Sequence, residues 1–137
     1  MLLVIGTNDA LLEGLAPALA TTGRRVVTCQ SLDEGAQFAR DEPPLLLVVE
    51  RSLLTAPCDI ALSRVPVRNG GALVTYRAAG AAVISLSLPP ALSRLQMADL
   101  ELPLERNRLL ALAEHLSMRA RHAGRSGRAR PPEPPAP

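Results

Sequence analysis

Lysine and tryptophan are missing from this 137-residue chain, and Phe38 and Tyr76 are its only aromatic side chains. An interior so short of rings must be filled by Leu, Val, Ile and Ala. Hydrophobic residues make up 47% of the chain, which suits a packed domain and excludes a disordered one. An aliphatic core fits a parallel sheet, whose buried strands read as unbroken apolar runs. Without lysine there is no amine for Schiff-base chemistry or for coordinating phosphate. All 15 basic residues are arginine, and set against 13 acids they leave a net charge of +2, too small to argue for nucleic acid. Cys29 and Cys58 are too few for a disulfide framework, and neither lies in a CxxC or beside a histidine at ligand spacing. Two reduced thiols are expected. No apolar run approaches ~20 residues and no basic segment precedes Leu2-Leu3-Val4-Ile5, so neither a membrane span nor a secretory leader is predicted. A cytoplasmic protein is expected.

Short aliphatic runs alternate with helical periodicity, the pattern of βαβ units. Leu2 to Ile5 reads as a buried strand. Thr7, Asn8 and Asp9 offer N-caps for a helix whose inner face carries Leu11, Leu12, Leu15, Ala18 and Leu19. Pro17 interrupts that helix and Gly23 stops it. Arg25 to Cys29 is a second strand. Ser31 caps a helix from Leu32 to Arg40, with Glu34 completing the capping-box spacing. Leu45-Leu46-Leu47-Val48-Val49, apolar throughout, predicts the central strand, with Glu50 at its carboxyl end.

Residues 51 to 69 carry prolines and the turn signal Asn69-Gly70-Gly71, and read as a long loop with room for a short helix at 59–64. Gly71 to Ala79 reads as a helix ended by Gly80, and Ala81 to Leu86 as the fourth strand. A weak helix opens at Pro89-Pro90 and a short fifth strand runs from Asp99 to Leu102. Leu104 to Arg119 is the strongest helix, with Leu109, Leu110, Leu112, Ala113 and Leu116 facing inward. From residue 120 to 137 Arg, Gly, Ser and Pro offer no packable face, so a disordered tail is expected after a single domain over 1–119. Five strands joined by right-handed crossovers give a flavodoxin-like, doubly wound α/β sheet of order 2-1-3-4-5.

Several segments resemble the response-regulator receiver family. They are Leu2-Leu3-Val4-Ile5 with Ala10-Leu11-Leu12-Glu13-Gly14-Leu15, Pro44 to Glu50, Gly70 to Gly80, and Ala98 to Leu104. The likeness spans most of residues 1–119 and rests on pattern and spacing. In receivers an acidic pair after the first strand holds Mg²⁺, and an aspartate ending the third strand takes the phosphoryl group. A Thr or Ser ends the fourth strand, and a Lys-Pro pair follows the fifth. Matched by position, this chain has Gly6 and Thr7, Glu50, Ser87, and Leu102-Pro103, with Asp99 where an aromatic reports phosphorylation. Only Ser87 and the cis-prone Pro103 fit. With the acidic pair and the lysine gone, the cations that would neutralise a transferring phosphoryl group are missing.

The resemblance therefore implies a degenerate receiver, or pseudo-receiver, that is no enzyme, has no catalytic or metal-ligating residue, needs no cofactor and acts in bacterial signalling through protein contacts. Its partner face would lie between Ala91 and Leu116, with Arg94, Gln96, Asp99, Glu101, Arg106 and Arg108 exposed; the same face could self-associate. Glu50 stands either as a fixed negative charge in place of phospho-aspartate or as a strand-end carboxylate in solvent or paired with Arg51. The apolar loop 51–69 either folds over the degenerate pocket or presents a binding patch. Two rival functions remain open. One is a small-ligand or nucleotide sensor using a cleft above Gly6, Thr7 and Ser87. The other is a nucleic-acid accessory role through Arg119, Arg121, Arg125, Arg128 and Arg130, weakened by the lack of interleaved aromatics. His115 and His122 have no second histidine at i,i+4, so no metal site is expected there.

Overall fold

In a computed structural model, describing residues 1–54, 65–80, 88 and 90–128, the all-apolar run Leu46–Glu50 (β3) lies at the middle of one parallel sheet. β1 (Leu2–Ile5) and β4 (Ala72–Ala78) flank it, β2 (Val26–Cys29) lies outside β1, and β5 (Gln96–Leu102) lies outside β4. The order β2-β1-β3-β4-β5 is the predicted flavodoxin-like one. Leu2 to Ile5 and Leu46 to Val49 are fully buried because both faces of the inner strands are covered.

Four helices are described: α1 (Asp9–Ala20), α2 (Leu32–Asp41), α3 (Pro90–Ser93) and α4 (Arg106–Arg128). Asn8 caps α1, its side-chain oxygen accepting from the Leu11 N–H at 3.1 Å, and Ser31 caps α2 by accepting from Glu34 N–H at 3.2 Å. On one face of the sheet Leu2, Val4, Val48 and Val74 pack against Leu12, Leu15 and Leu19 of α1 and Leu109, Ala113 and Leu116 of α4. On the other, Leu3, Ile5, Leu47, Val49 and Leu73 meet Ala36 and Ala39 of α2 together with Leu54 and Val65.

The fourth strand is not where the sequence pattern put it. Ala72 to Ala78, read above as a helix, is β4, paired with β3 from Leu46↔Ala72 to Glu50↔Tyr76. A short, mostly apolar stretch, here broken only by Thr75 and Arg77, has no clear period that separates a buried strand from a buried helix. The Asn69-Gly70-Gly71 signal opens the strand instead of a helix. Gly70 takes a positive φ of 82°, and a Cβ on Gly71 would come within 2.6 Å of the Leu45 carbonyl oxygen. Residues 51–71 are consequently the β3-to-β4 connection of a parallel pair, which needs a dozen or more residues. Arg51–Leu53 form a 3₁₀ turn and Leu54 and Val65 are buried; residues 55–64, where the short helix was expected, lie outside the described residues. The expected fourth strand at 81–86, and Ser87, lie outside them as well.

Two further boundaries move. β5 begins at Gln96, three residues before the expected start, where pairing with β4 decides. α4 runs on to Arg128, past the expected domain end at 119, and Arg121 donates from its guanidinium to the Thr22 carbonyl at the end of α1. Residues 129–137 lie outside the described residues. Among the described residues no helix is long and apolar enough to cross a membrane.

Cys29, at the end of β2, is 5% exposed, and burial followed by the Glu34 carboxylate pushes its thiol up to about 11, against a smaller opposing contact with Ser31. Only the thiolate reacts, so in a Cys58→Ser background Cys29 resists a disulfide reagent at about pH 8 until denaturant is added. Rapid labelling of the folded chain would contradict this.

Candidate functional site at the carboxyl edge of the sheet

The ends of β1 and β3 bring Gly6, Thr7 and Glu50 together. Glu50 terminates an otherwise apolar strand, where the chain leaves the core, and both of its carboxylate oxygens are engaged. The Thr7 N–H donates to Oε2 at 2.7 Å and the Thr7 hydroxyl lies 3.0 Å from the same oxygen. The Ser52 hydroxyl donates to Oε1 at 2.6 Å. Burial pushes the Glu50 carboxyl up, but these bonds from Ser52 and Thr7 outweigh it and hold the group below the usual carboxylate range. The carboxylate is half-buried, and Arg51 turns instead to Asp99 at 3.0 Å.

Tyr76, which sequence reasoning assigned to a helix, completes the site. It stands level with Glu50 in the β3–β4 register and is fully buried. Its hydroxyl has no hydrogen-bond partner among the described residues and lies 1.9 Å from where a Cβ of Gly6 would be. Gly6 is glycine because the phenol takes the space of its side chain. Burial, and then the Glu50 charge, hold the phenol well above its ordinary range, so it stays neutral. Alternation along β4 would have put Tyr76 on this face had the segment been read as a strand.

The remaining predicted positions are dispersed. Leu102 ends β5 fully buried, and a cis peptide joins it to Pro103. Asn8 rather than Asp9 is the cap; Asp9 accepts from the Gln30 side chain. On the other face of β4 and β5 the Thr75 hydroxyl donates to Asp99 Oδ1 at 2.8 Å and accepts from Gln96 at 2.8 Å. Arg77 pairs with Glu101 at 3.4 Å and Arg108 with Glu105 at 3.1 Å. Of the expected contact residues, Arg94, Asp99, Arg106 and Arg108 are exposed, while Gln96 and Glu101 are half-buried. His115 and His122 are exposed.

No protein-family model matches the sequence, and no curated protein matches it. Solved structures do resemble it. The signal receiver domain of a putative LuxO repressor protein from Vibrio parahaemolyticus superposes with a TM-score of 0.64 at 16% identity, over 90% of this chain and 93% of that one. A response regulator receiver domain protein from Clostridium thermocellum gives 0.61 at 14% identity, over 89% of this chain and 97% of that one. NtrX from Brucella abortus, in complex with ADP, gives 0.63 at 18% identity over 94% of this chain, which spans only 28% of the NtrX chain. This chain has a receiver-like fold.

The receiver resemblance in the sequence calls for a magnesium ion at the carboxyl edge, and the described residues there do not fit one. Mg²⁺ requires near-octahedral oxygen ligation. Gly6 contributes no ligand, the Tyr76 ring covers it, and both Glu50 oxygens already accept hydrogen bonds. Among the described residues no three His, Cys, Asp or Glu side chains gather into a metal-binding group. The fourth-strand residue level with Glu50 is Tyr76, and the strand's last residue, Ala78, carries no hydroxyl. Sequence matching had put that hydroxyl at Ser87.

Because the folded-state titration of Glu50 is depressed, its stabilising contribution is complete above the ordinary carboxylate range and is lost as pH falls through the lower folded value. Replacing it with Gln leaves the Thr7 and Ser52 donors facing an amide. Glu50→Gln should cost about 1–2 kcal/mol near pH 7, reduced from the full charged-bond value by partial exposure. The gap between wild-type and variant urea midpoints should close as pH falls below the ordinary carboxylate range. A gap independent of pH would show that charge is not what the Thr7 and Ser52 donors stabilise.

Proposed function

We propose that this receiver-like domain regulates a signalling partner by protein contact, without phosphoryl transfer and without enzymatic activity of its own. One observation carries the reading: Tyr76 occupies the space beside Glu50 and Gly6 that a phosphoryl group and its metal would need. Phosphoryl transfer depends on positioning and on cancelling the charge of the equatorial oxygens. Among the described residues Glu50 has no cation among its hydrogen-bond partners, and Leu102 supplies none from the end of β5. Thr7 and Ser52 hold Glu50 charged through the ordinary carboxylate range, so the edge carries a fixed charge at neutral pH in place of a switch.

The contact surface we assign is the α3–β5–α4 side. β5 is an edge strand, and Leu95 and Met97 are exposed at its start, with exposed Arg94, Asp99 and Arg108 on the same three elements. Apolar side chains accompanied by arginine and acid suit a protein partner or a second copy of the chain.

Incubation with acetyl phosphate and Mg²⁺, followed by intact-mass measurement, is expected to leave the mass unchanged. A stable phosphoryl adduct that disappears in Glu50→Gln would end the phosphorylation-independent reading. Charge reversal at Arg94 and Arg108 should abolish partner capture while leaving the folding transition in place; unchanged capture would move the interface elsewhere.

A further inference from the structure

Among the described residues a hollow stands apart from the ground above Gly6 and Thr7, where a ligand cleft was expected. It lies beside them, between the first half of α1 and the carboxyl ends of β4 and β5, with a volume of about 400 Å³. Leu11, Leu15, Leu102 and Pro103 form apolar walls, Gly14 opens the helical side, and Arg106 stands at the rim. The volume is within the range of small-molecule sites.

Two observations indicate what it takes. Gly14 lies in the interior of a helix, where glycine is unfavourable, yet a Cβ there would meet nothing within 4 Å. No packing contact requires the glycine; its effect is to keep the hollow open. Arg106 has no hydrogen-bond or ion-pair partner for its side chain among the described residues. The adjacent acid is already committed, since Glu105 accepts from Arg108 at 3.1 Å and from the Glu101 N–H at 3.0 Å. An arginine left unpaired at the mouth of an apolar cavity matches a ligand with an apolar body and one carboxylate.

We propose that this hollow binds a small, mostly apolar monocarboxylate, its ring or branched chain against Leu11, Leu15 and Leu102 and its carboxylate on Arg106. Such a site would give the domain a chemical input that does not pass through Glu50.

The test uses the full chain with benzoate, and with benzamide and acetate as neutral and bodiless controls, followed by amide chemical shifts in ¹H–¹⁵N spectra. Concentrations of about 20 mM exceed the millimolar dissociation constant that so small a ligand reaches. Benzoate should shift Leu11, Leu15 and Leu102 saturably, with benzamide and acetate about tenfold weaker. Arg106→Gln should weaken benzoate about tenfold and leave benzamide unchanged. Gly14→Leu, which fills open space on an exposed helix position, should remove both responses while the protein stays folded. Equal binding of benzoate and benzamide, benzoate affinity unaltered in Arg106→Gln, or undisturbed lining amides at the highest concentration would each overturn the proposal. So would perturbations confined to residues away from the hollow.

Discussion

Gly6→Asp should lower the free energy of unfolding by about 4 kcal/mol or more, enough to unfold most of a marginally stable domain. The substitution places at this position the acid that a metal-binding receiver edge requires. Two costs combine. The new Cβ would lie 1.9 Å from the Tyr76 hydroxyl and 3.2 Å from Glu50 Oε2, so the buried phenol must be displaced. The added carboxylate then stands beside an existing one, and among the described residues no cation is a hydrogen-bond partner of Glu50. Gly6→Ala isolates the steric part, with an expected cost of about 1–3 kcal/mol. In a Tyr76→Ala background the same Gly6→Ala change should cost far less, because the ring that collides with it is gone; the difference measures the coupling. A Gly6→Asp chain with a near-native urea midpoint would mean that the edge relaxes without penalty, and the blocked-pocket account would lose its basis.

Tyr76→Ala should cost about 3–5 kcal/mol, the largest effect expected from a single truncation at this edge. The ring is fully buried between the core residues of β1, β3 and α1, and only one other aromatic exists in the chain to take up volume. Tyr76→Phe is the informative companion. The buried hydroxyl has no partner among the described residues, so removing it relieves a desolvated polar atom and should leave stability unchanged or raise it by about 1 kcal/mol. If Tyr76→Phe instead destabilised the fold by more than about 1 kcal/mol, the hydroxyl would have a partner that this geometry does not show. Thermal or urea unfolding of the three proteins settles both points.

Both experiments bear on function through the same geometry. The space beside Gly6 is filled by a neutral ring and bordered by a carboxylate that already accepts from Thr7 and Ser52. An acid placed at Gly6 would meet the packing before it met a metal. A return to metal binding therefore needs coordinated changes at Gly6 and Tyr76 at least.

Much of the architecture was written in local pattern. The aliphatic runs at Leu2–Ile5 and Leu46–Val49 specify buried parallel strands by composition alone, and Asn8 and Ser31 start their helices through hydrogen bonds that reach only three residues along the chain. Those features needed no tertiary information, because their physics acts within a few residues. The strand order followed from them by the handedness of parallel crossovers. The identity of Ala72–Ala78 was different. Its apolar residues serve a buried helix or a buried strand equally well, and only pairing with β3 on one side and β5 on the other decided between them. From that one decision came the site. Once the segment is a strand, Tyr76 stands opposite Glu50 and over Gly6, residues 26 and 70 positions away in the chain. Thr7 and Ser52 then become the donors that hold the carboxylate, and Arg51 is drawn to Asp99. Sequence alone shows Gly6 and Thr7 where the receiver resemblance calls for an acidic pair, since absence of a residue type needs no coordinates. Only the fold showed what took their place, because filling a volume is a property of side chains brought together from distant strands.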